Sequence, residues 1–143
     1  MTRLARDDGS TLPLTIFFGM LSLALVLVVV AATSLYLERK RLFTLADGAA
    51  LVGAESFALQ GVTATEAGIR PTLTTPEVAA AVEEYLAGIP TAEFTDLALD
   101  RAETVDGRSA TVTLSAEWRA PVLGEILPPV RIDVTAVARS VFD

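Results

Sequence analysis

The most constraining feature of the sequence is an uncharged apolar run from Leu12 to Leu37. No charged residue occurs between Asp8 and Glu38. A helix crosses a hydrocarbon core of about 30 Å with about 20 apolar residues, each adding about 1.5 Å. Because a bilayer offers the backbone no hydrogen-bond partners, a single spanning segment must be helical. We therefore predict a polar leader at residues 1–11, one transmembrane helix at residues 12–37, and a lipid bilayer as its partner.

A cleavable signal peptide is the alternative interpretation of this run. The apolar region of such a peptide is usually about 7–15 residues long and ends at small residues of the A-x-A type. The run here is about twice that length, and its small residues, Ala31 to Ser34, lead into further helical pattern. A retained membrane helix is therefore the preferred interpretation.

The helical pattern continues beyond the membrane span. Three cations, Arg39, Lys40 and Arg41, follow the apolar run, and we interpret them as an anchor among the lipid headgroups. From Pro13 to about Ala58 the sequence predicts one unbroken helix, because no further proline interrupts it. Its extension covers residues 38–60, and Gly61 is the predicted terminator.

This extension repeats small residues at helical spacing, which gives it a face that another element can approach closely. The predicted helix-packing interface consists of Ala46, Ala49, Ala50, Gly53 and Ala54. Two interpretations stay open: the face meets helices of partner subunits, or it packs on the chain's own soluble domain. Asp47, the acid among these small residues, is interpreted as a solvated side chain.

Residues 61–143 predict a small α+β domain. Residues 61–75 are rich in Gly, Thr and Pro and are interpreted as a connecting loop. A helix follows, with Thr75 as its cap and Gly88 at its end. Three strands are then predicted, at Glu93–Glu103, Ser109–Arg119 and Val130–Phe142.

The predicted strands form an antiparallel meander with one face buried under the helices. Asp106 and Gly107 are a hairpin signal between the first two strands. The expected fold class is therefore α+β: one amino-terminal transmembrane helix extended into a long helix, then a short helix and a three-stranded meander. This plan is pilin-like, by analogy of fold alone.

The connection between the last two strands is unusually apolar for a loop. Its candidate contact residues are Val122, Leu123, Ile126 and Leu127. The segment either folds back over the sheet edge or forms an exposed patch, and exposed apolar patches tend to mark contact surfaces or membrane dips.

Composition argues against several classes of function. The chain has no histidine and no cysteine, so it lacks the commonest general base, the commonest metal ligand and any thiolate. The whole net charge of −7 falls on residues 59–143, which is unfavourable for binding phosphates. No metal-ligand spacing, phosphate loop or nucleophile motif is present. We expect no enzyme, no cofactor, no metal and no nucleic-acid partner; an enzyme using carboxylates alone is the least favoured alternative.

Residues 45–54, LADGAALVGA, closely resemble the A-D-A-A-A-L-A-G-A stretch that follows the transmembrane helix in TadE/TadG-like proteins of the Flp (tight adherence) pilus assembly system. The opening from Gly9 to Pro13 is similar to the actinobacterial branch of that group. The resemblance implies a minor-pilin-like or pseudopilin-like subunit that packs against other pilus or secretion-machine subunits. It also implies a prepilin peptidase as a partner, with leader cleavage between Gly9 and Ser10. The sequence departs at Leu14, where typical members carry Glu.

A single-pass protein of the cell membrane with an extracytoplasmic carboxy-terminal domain is the location that we expect. Charge alone leaves the orientation open, because Arg3 and Arg6 lie on one side of the span and the cluster at residues 39–41 lies on the other. The alternative function is a single-pass sensor or accessory protein that binds a ligand or a protein partner.

Overall fold

The amino-terminal part of the described chain is one long helix. The computed structural model describes residues 11–56, 64–65, 68–69 and 72–139. Helix α1, Thr11–Glu55, contains 45 residues without a break, which is about 68 Å at about 1.5 Å per residue. It ends where the Ser56 hydroxyl donates to the carbonyl oxygen of Gly53 at 2.7 Å. The predicted continuous helix is confirmed, although it ends before the predicted Ala58, which lies outside the described residues.

A short strand pair lies in the segment predicted as a connecting loop. Strands β1, Ala64–Thr65, and β2, Gly68–Ile69, pair antiparallel. The expectation of a simple loop over residues 61–75 was incomplete at this point. A ladder of two residues per strand is too short to produce a hydrophobic period, so the sequence carries no signal for it.

Helix α2, Thr75–Gly88, has the predicted bounds but a different cap. The N-cap is Thr74, which has extended backbone angles; its backbone N–H and hydroxyl both donate to Glu77 Oε2, at 3.2 and 2.7 Å. Thr74 and Glu77 stand three residues apart, the spacing of a capping box. The Thr75 hydroxyl lies instead 3.4 Å from the backbone N and O of Thr104. The prediction of Thr75 as the cap was wrong because it overlooked this spacing.

The three-stranded antiparallel sheet is confirmed. Its strands are β3, Thr95–Glu103, β4, Ser109–Trp118, and β5, Val130–Arg139, in the order β3-β4-β5. The first strand begins two residues later than predicted because residues 91–94 form a turn, in which the Phe94 N–H donates to the Thr91 carbonyl oxygen. The predicted end of the third strand, Phe142, lies outside the described residues.

Asp106 and Gly107 form the tight connection from β3 to β4. Gly107 has a φ of 67°, which costs glycine little and other residues more. The Asp106 carboxylate accepts hydrogen bonds from the backbone N–H groups of Arg108 and Ser109, at 2.9 and 2.7 Å, and from the Ser109 hydroxyl at 2.7 Å. The hairpin signal therefore corresponds to a well-bonded turn.

The core lies between the two helices and one face of the sheet. The buried residues of β4 and β5 alternate along each strand, in agreement with the expected single buried face: Ala110, Val112, Leu114, Ala116, Ile132, Val134 and Ala136. The fully buried side chains of Leu42 in α1 and of Val78 and Val82 in α2 complete this core. Ser115, on the other sheet face, is also buried, because the Arg131 guanidinium lies over it and donates to its hydroxyl from Nε and Nη2.

Strand β4 runs antiparallel to α1. At the start of the strand, the Ala110 Cβ lies next to Gly53, near the end of the helix. At the end of the strand, Trp118 Nε1 donates to the Ser34 hydroxyl at 3.2 Å. We call the end of the sheet at Trp118 and Val130 its lower end, and the end with the β3–β4 turn its upper end.

Candidate membrane-anchoring and helix-packing site

The lower part of α1, residues 11–33, exposes its apolar side chains. The large hydrophobic residues from Leu12 to Val30 that lie on its surface are 42% to 69% exposed. An 18-residue window of this helix has a mean hydropathy of 2.8, and none of it is buried within the protein. A continuous apolar surface of this size is unfavourable in water. The helix is long and apolar enough to cross a membrane, and it fits a membrane anchor.

The predicted anchor residues Arg39, Lys40 and Arg41 all lie exposed on α1, above this apolar surface. Arg39 and Lys40 line an open groove between α1 and β5. Arg41 Nη1 lies 4.0 Å from Glu93 Oε2, and both side chains are more than half exposed, so this ion pair contributes little to stability. Their role at lipid headgroups stays a prediction.

The small-residue face of α1 lies inside the chain's own domain. Four of its five residues, Ala46, Ala49, Ala50 and Ala54, have no exposed surface, and Gly53 is also buried. Of the two interpretations left open by the sequence, packing on the chain's own domain is the arrangement that the structure contains. In this arrangement a helix of another subunit has no access to these five residues.

Close approach explains why these positions are small. A Cβ atom added to Gly53 would lie 3.1 Å from Val78 Cγ1, 3.3 Å from Val82 Cγ2 and 3.2 Å from Ala110 Cβ. These separations are shorter than the about 3.5–4.0 Å at which carbon atoms attract best. Gly53 therefore sits where α1 crosses both α2 and β4, and any larger residue must push one of them away.

The contact between Ser34 and Trp118 fixes the lower end of the sheet on α1. The two residues are 84 positions apart, and their hydrogen bond is partly buried. No local pattern in the sequence identifies Ser34 and Trp118 as partners. Only the tertiary alignment of β4 with α1 reveals this contact, which begins inside the span predicted at residues 12–37.

A polar network joins the three strands near the same end. Arg131 Nη1 lies 2.8 Å from Asp96 Oδ2, while its other nitrogens donate to the Ser115 hydroxyl. Asp96 has a φ of 50°, next to an irregularity in the pairing of β3 with β4. No local sequence pattern predicts this network, because the three residues come from different strands.

The apolar loop between β4 and β5 presents most of its predicted contact residues to the exterior. Val122 and Ile126 are each 79% exposed and Leu127 is 48% exposed, whereas Leu123 is half-buried. The Leu123 carbonyl oxygen accepts hydrogen bonds from the backbone N–H groups of Ile126 and Leu127, at 3.0 and 2.9 Å. The segment therefore does not bury these three side chains over the sheet edge. Its role as a contact loop stays a prediction.

The loop holds two unusual backbone positions. Val122 has a φ of 67°, a conformation that is strained for a β-branched residue. At Gly124 an added Cβ would lie 2.9 Å from the carbonyl oxygen of Ala120, so glycine is required for the chain to close on itself. The loop is thus a compact, specifically folded element.

Within the ranges that the structure describes, no three His, Cys, Asp or Glu side chains gather as a metal site would require. Glu83 and Glu84 lie exposed on α2, which is the ordinary environment of a solvated charge. The predicted cleavage residues Gly9 and Ser10 lie outside the described residues. The described chain has two exposed apolar surfaces that can pack against other molecules: the lower part of α1 and the β4–β5 loop.

Comparison with known proteins finds a similarity for the amino-terminal part of the chain. Residues 9–56 match the family described as putative Flp pilus-assembly TadE/G-like, which confirms the resemblance seen in the sequence. The matched range covers the whole of α1 and ends directly after it, so α2 and the three-stranded sheet lie outside the match. No curated protein and no solved structure shows significant similarity to the chain.

Proposed function

We propose that the protein is a structural subunit of a Tad (Flp-type) pilus or a related secretion machine, in the manner of a minor pilin, and that it acts by packing and not by catalysis. The observation that carries this proposal is the match of residues 9–56 to the TadE/G-like pilus-assembly family. Membership in such an assembly implies contacts with other pilus components. The matched segment is α1, so the helix is the part through which these contacts are made.

The lower part of α1 crosses the bilayer in this proposal. Its large apolar side chains are exposed and make no core of their own. In a bilayer, lipid tails or neighbouring helices cover such a surface, and every backbone group of the helix is already paired. The cations at residues 39–41 then lie among headgroups at one boundary.

The upper part of α1, residues 34–55, holds the folded domain. Its small-residue face holds α2 and the sheet, so the domain keeps a fixed position relative to the span. A partner that displaces or rotates the lower part therefore moves the whole domain with it. We place the acidic domain outside the cytoplasm, where it faces other subunits or the surroundings.

Partner helices meet the lower part of α1 on the face that carries Gly19, the one glycine of this part. Thr15, Gly19 and Ser22 follow one another at helical steps of four and three, so they share one face. Within the described part of the chain, an added Cβ at Gly19 meets no atom within 4 Å. A neighbouring helix can approach most closely on this face.

The test is co-purification of the intact protein with other pilus components after mild solubilisation. We expect Gly19→Leu to abolish or strongly reduce recovery of the partner subunits, because it fills the closest approach. Ala24→Leu is the matched control, since it introduces the same leucine side chain on another exposed face of the same span. Neither change touches the domain, so both variants should fold equally well.

A different pair of outcomes would favour the alternative of a sensor or accessory protein. That alternative predicts that both variants keep their complexes, while substitutions in the domain abolish binding of a ligand. The mass of the mature amino terminus adds an independent measurement: a start at Ser10 supports processing by a prepilin peptidase, and an intact leader contradicts that part of the proposal.

A further inference from the structure

We propose that the β4–β5 loop, residues 119–129, is a second membrane contact, which inserts Val122, Ile126 and Leu127 into the headgroup boundary of the bilayer that α1 crosses. This inference rests on the proposed membrane span. It goes beyond that span by assigning a lipid surface as the occupant of an apolar patch on the folded domain.

The first step is the position of the loop along α1. The Ala110 Cβ lies next to Gly53, and the Trp118 indole N–H donates a hydrogen bond to the Ser34 hydroxyl. The rise from Ala110 to Trp118 is about 27 Å for a strand, and the rise from Ser34 to Gly53 is about 28 Å for a helix. The two elements therefore run side by side without drifting apart, and the loop leaves β4 on the side of the lower part of α1.

The second step is the position of the bilayer boundary. Counted from Leu12, a hydrocarbon core of about 30 Å ends about 20 residues later, close to Ala32. Ser34 therefore lies at the boundary. Tyr36, which is 66% exposed, and Trp118 lie at the same level, and amphipathic aromatic rings favour the membrane interface. The cations at residues 39–41 lie one to two helical turns further out.

The third step is the chemistry of the loop. Val122 and Ile126 are each 79% exposed, and Leu127 is 48% exposed. Three prolines, Pro121, Pro128 and Pro129, lack a backbone N–H, and the N–H groups of Leu123, Ile126 and Leu127 are bonded within the loop. Both properties reduce the number of unpaired donors that insertion would remove from water. Its one acid, Glu125, is exposed and sets a limit to the depth of insertion.

The upper end of the sheet shows that an exposed apolar side chain does not by itself indicate a membrane contact. Val105 is 84% exposed in the β3–β4 turn, but its chain neighbours Thr104 and Asp106 are polar. Only the lower end combines several exposed apolar side chains with the level of the membrane boundary. A bilayer covers that combination without a further protein partner.

The chain has no cysteine, so single labels can test this arrangement in the full-length protein. Ile126→Cys, Val105→Cys and Leu23→Cys are each labelled with the fluorophore NBD and reconstituted into vesicles of phosphatidylcholine and phosphatidylglycerol. Spin-labelled lipids then quench each probe according to its depth. We expect strong quenching at position 23, and severalfold stronger quenching at position 126 than at position 105, together with a blue-shifted emission.

The three labels separate the possible failures. If position 23 is quenched while positions 126 and 105 behave alike, the loop stays in water and the inference is overturned. If position 23 is not quenched either, the proposed membrane span is wrong, and the loop contact is overturned with it. Val122→Cys, at a position with the same exposure as Ile126, replaces Ile126→Cys if the latter does not fold, and it is held to the same criterion.

Discussion

The two parts of α1 make opposite use of apolar residues within one unbroken helix. In the lower part, nearly all large side chains are exposed; in the upper part, four alanines have no exposed surface and Gly53 is buried. The more hydrophobic half is thus the one without a protein core around it. Hydropathy identifies the solvent that a helix needs, whereas residue size identifies where other protein segments approach it.

The physical reason lies in what covers each part. Lipid tails adapt to any side-chain shape, so the lower part gains nothing from small residues except where another helix approaches. The upper part must fit α2 and β4 at short distances, and at Gly53 an added Cβ would lie only 3.1–3.3 Å from its neighbours. Close-packed interiors do not adapt to added volume. The following predictions compare matched substitutions in the two parts.

Leu42→Ala should have the largest effect. Leu42 is fully buried, and a truncation of this kind destabilises a core by about 2–5 kcal/mol. Leu23→Ala is the matched change in the lower part, where the side chain is 60% exposed; it should leave the stability of the domain unchanged. Denaturant unfolding of the full chain in detergent micelles, followed by the fluorescence of its one tryptophan, measures both. Equal losses from the two variants would contradict the division between the two parts.

Gly53→Val should have the next largest effect. The added side chain overlaps Val78, Val82 and Ala110, and overpacking of this kind costs about 1–3 kcal/mol. Leu51→Val introduces the same β-branched side chain two residues away, at a position that is 52% exposed, so it controls for the presence of valine in this part of the helix. A difference in midpoint of unfolding between the variants is expected. Equal midpoints would mean that α2 does not lie against Gly53.

Ser34→Ala should have a smaller effect, at the boundary between the two parts. It removes the acceptor of the Trp118 indole N–H, and a lost hydrogen bond of this kind costs about 0.5–1.5 kcal/mol. Thr33→Ala is the control, because the Thr33 hydroxyl donates only to the Val29 carbonyl oxygen within the same helix. The emission maximum of Trp118 should change in the first variant alone. No change in either would show that the lower end of the sheet is not fixed to α1.

Much of this architecture could be predicted from the sequence because its signals are local. The helix of α1 follows from an uninterrupted run, α2 from its terminators and the sheet from alternation in β4 and β5. The Asp106–Gly107 pair is a local signal for a hairpin connection, which the structure contains at residues 104–108. Capping at Thr74 was also within reach, since Glu77 stands three residues away.

The remaining features depend on alignment between distant segments. Small residues along α1 predict that something comes close, but they do not say whether it is α2 or another subunit, since both solutions need the same pattern. The hydrogen bond between Ser34 and Trp118 also depends on how distant segments align, and so does the polar network around Arg131. The exposure of Val122 and Ile126 was likewise open, because an apolar loop can cover a sheet edge or project from it.

The smallest predicted effect concerns pH at the upper end of the sheet. The Ser109 hydroxyl and the backbone N–H groups of Arg108 and Ser109 donate to the Asp106 carboxylate, which lowers its pKa from 3.8 to about 2. Because the folded-state pKa is the lower one, the contribution of this carboxylate is complete above about pH 4 and is lost as the pH falls towards 2. We expect the midpoint of unfolding to decrease over this range.

Ser109→Ala removes the strongest of these donors and should raise the pKa of Asp106 towards 3.8, as measured by carbon NMR of its carboxyl group in the full chain in micelles. Asp106→Asn should remove this contribution to the acid dependence. Since the turn lies at the end of the sheet away from Ser34, the emission of Trp118 should not respond to either variant at neutral pH. If it does respond, the upper and lower ends of the sheet are coupled, and the two parts of α1 cannot be treated as separate environments.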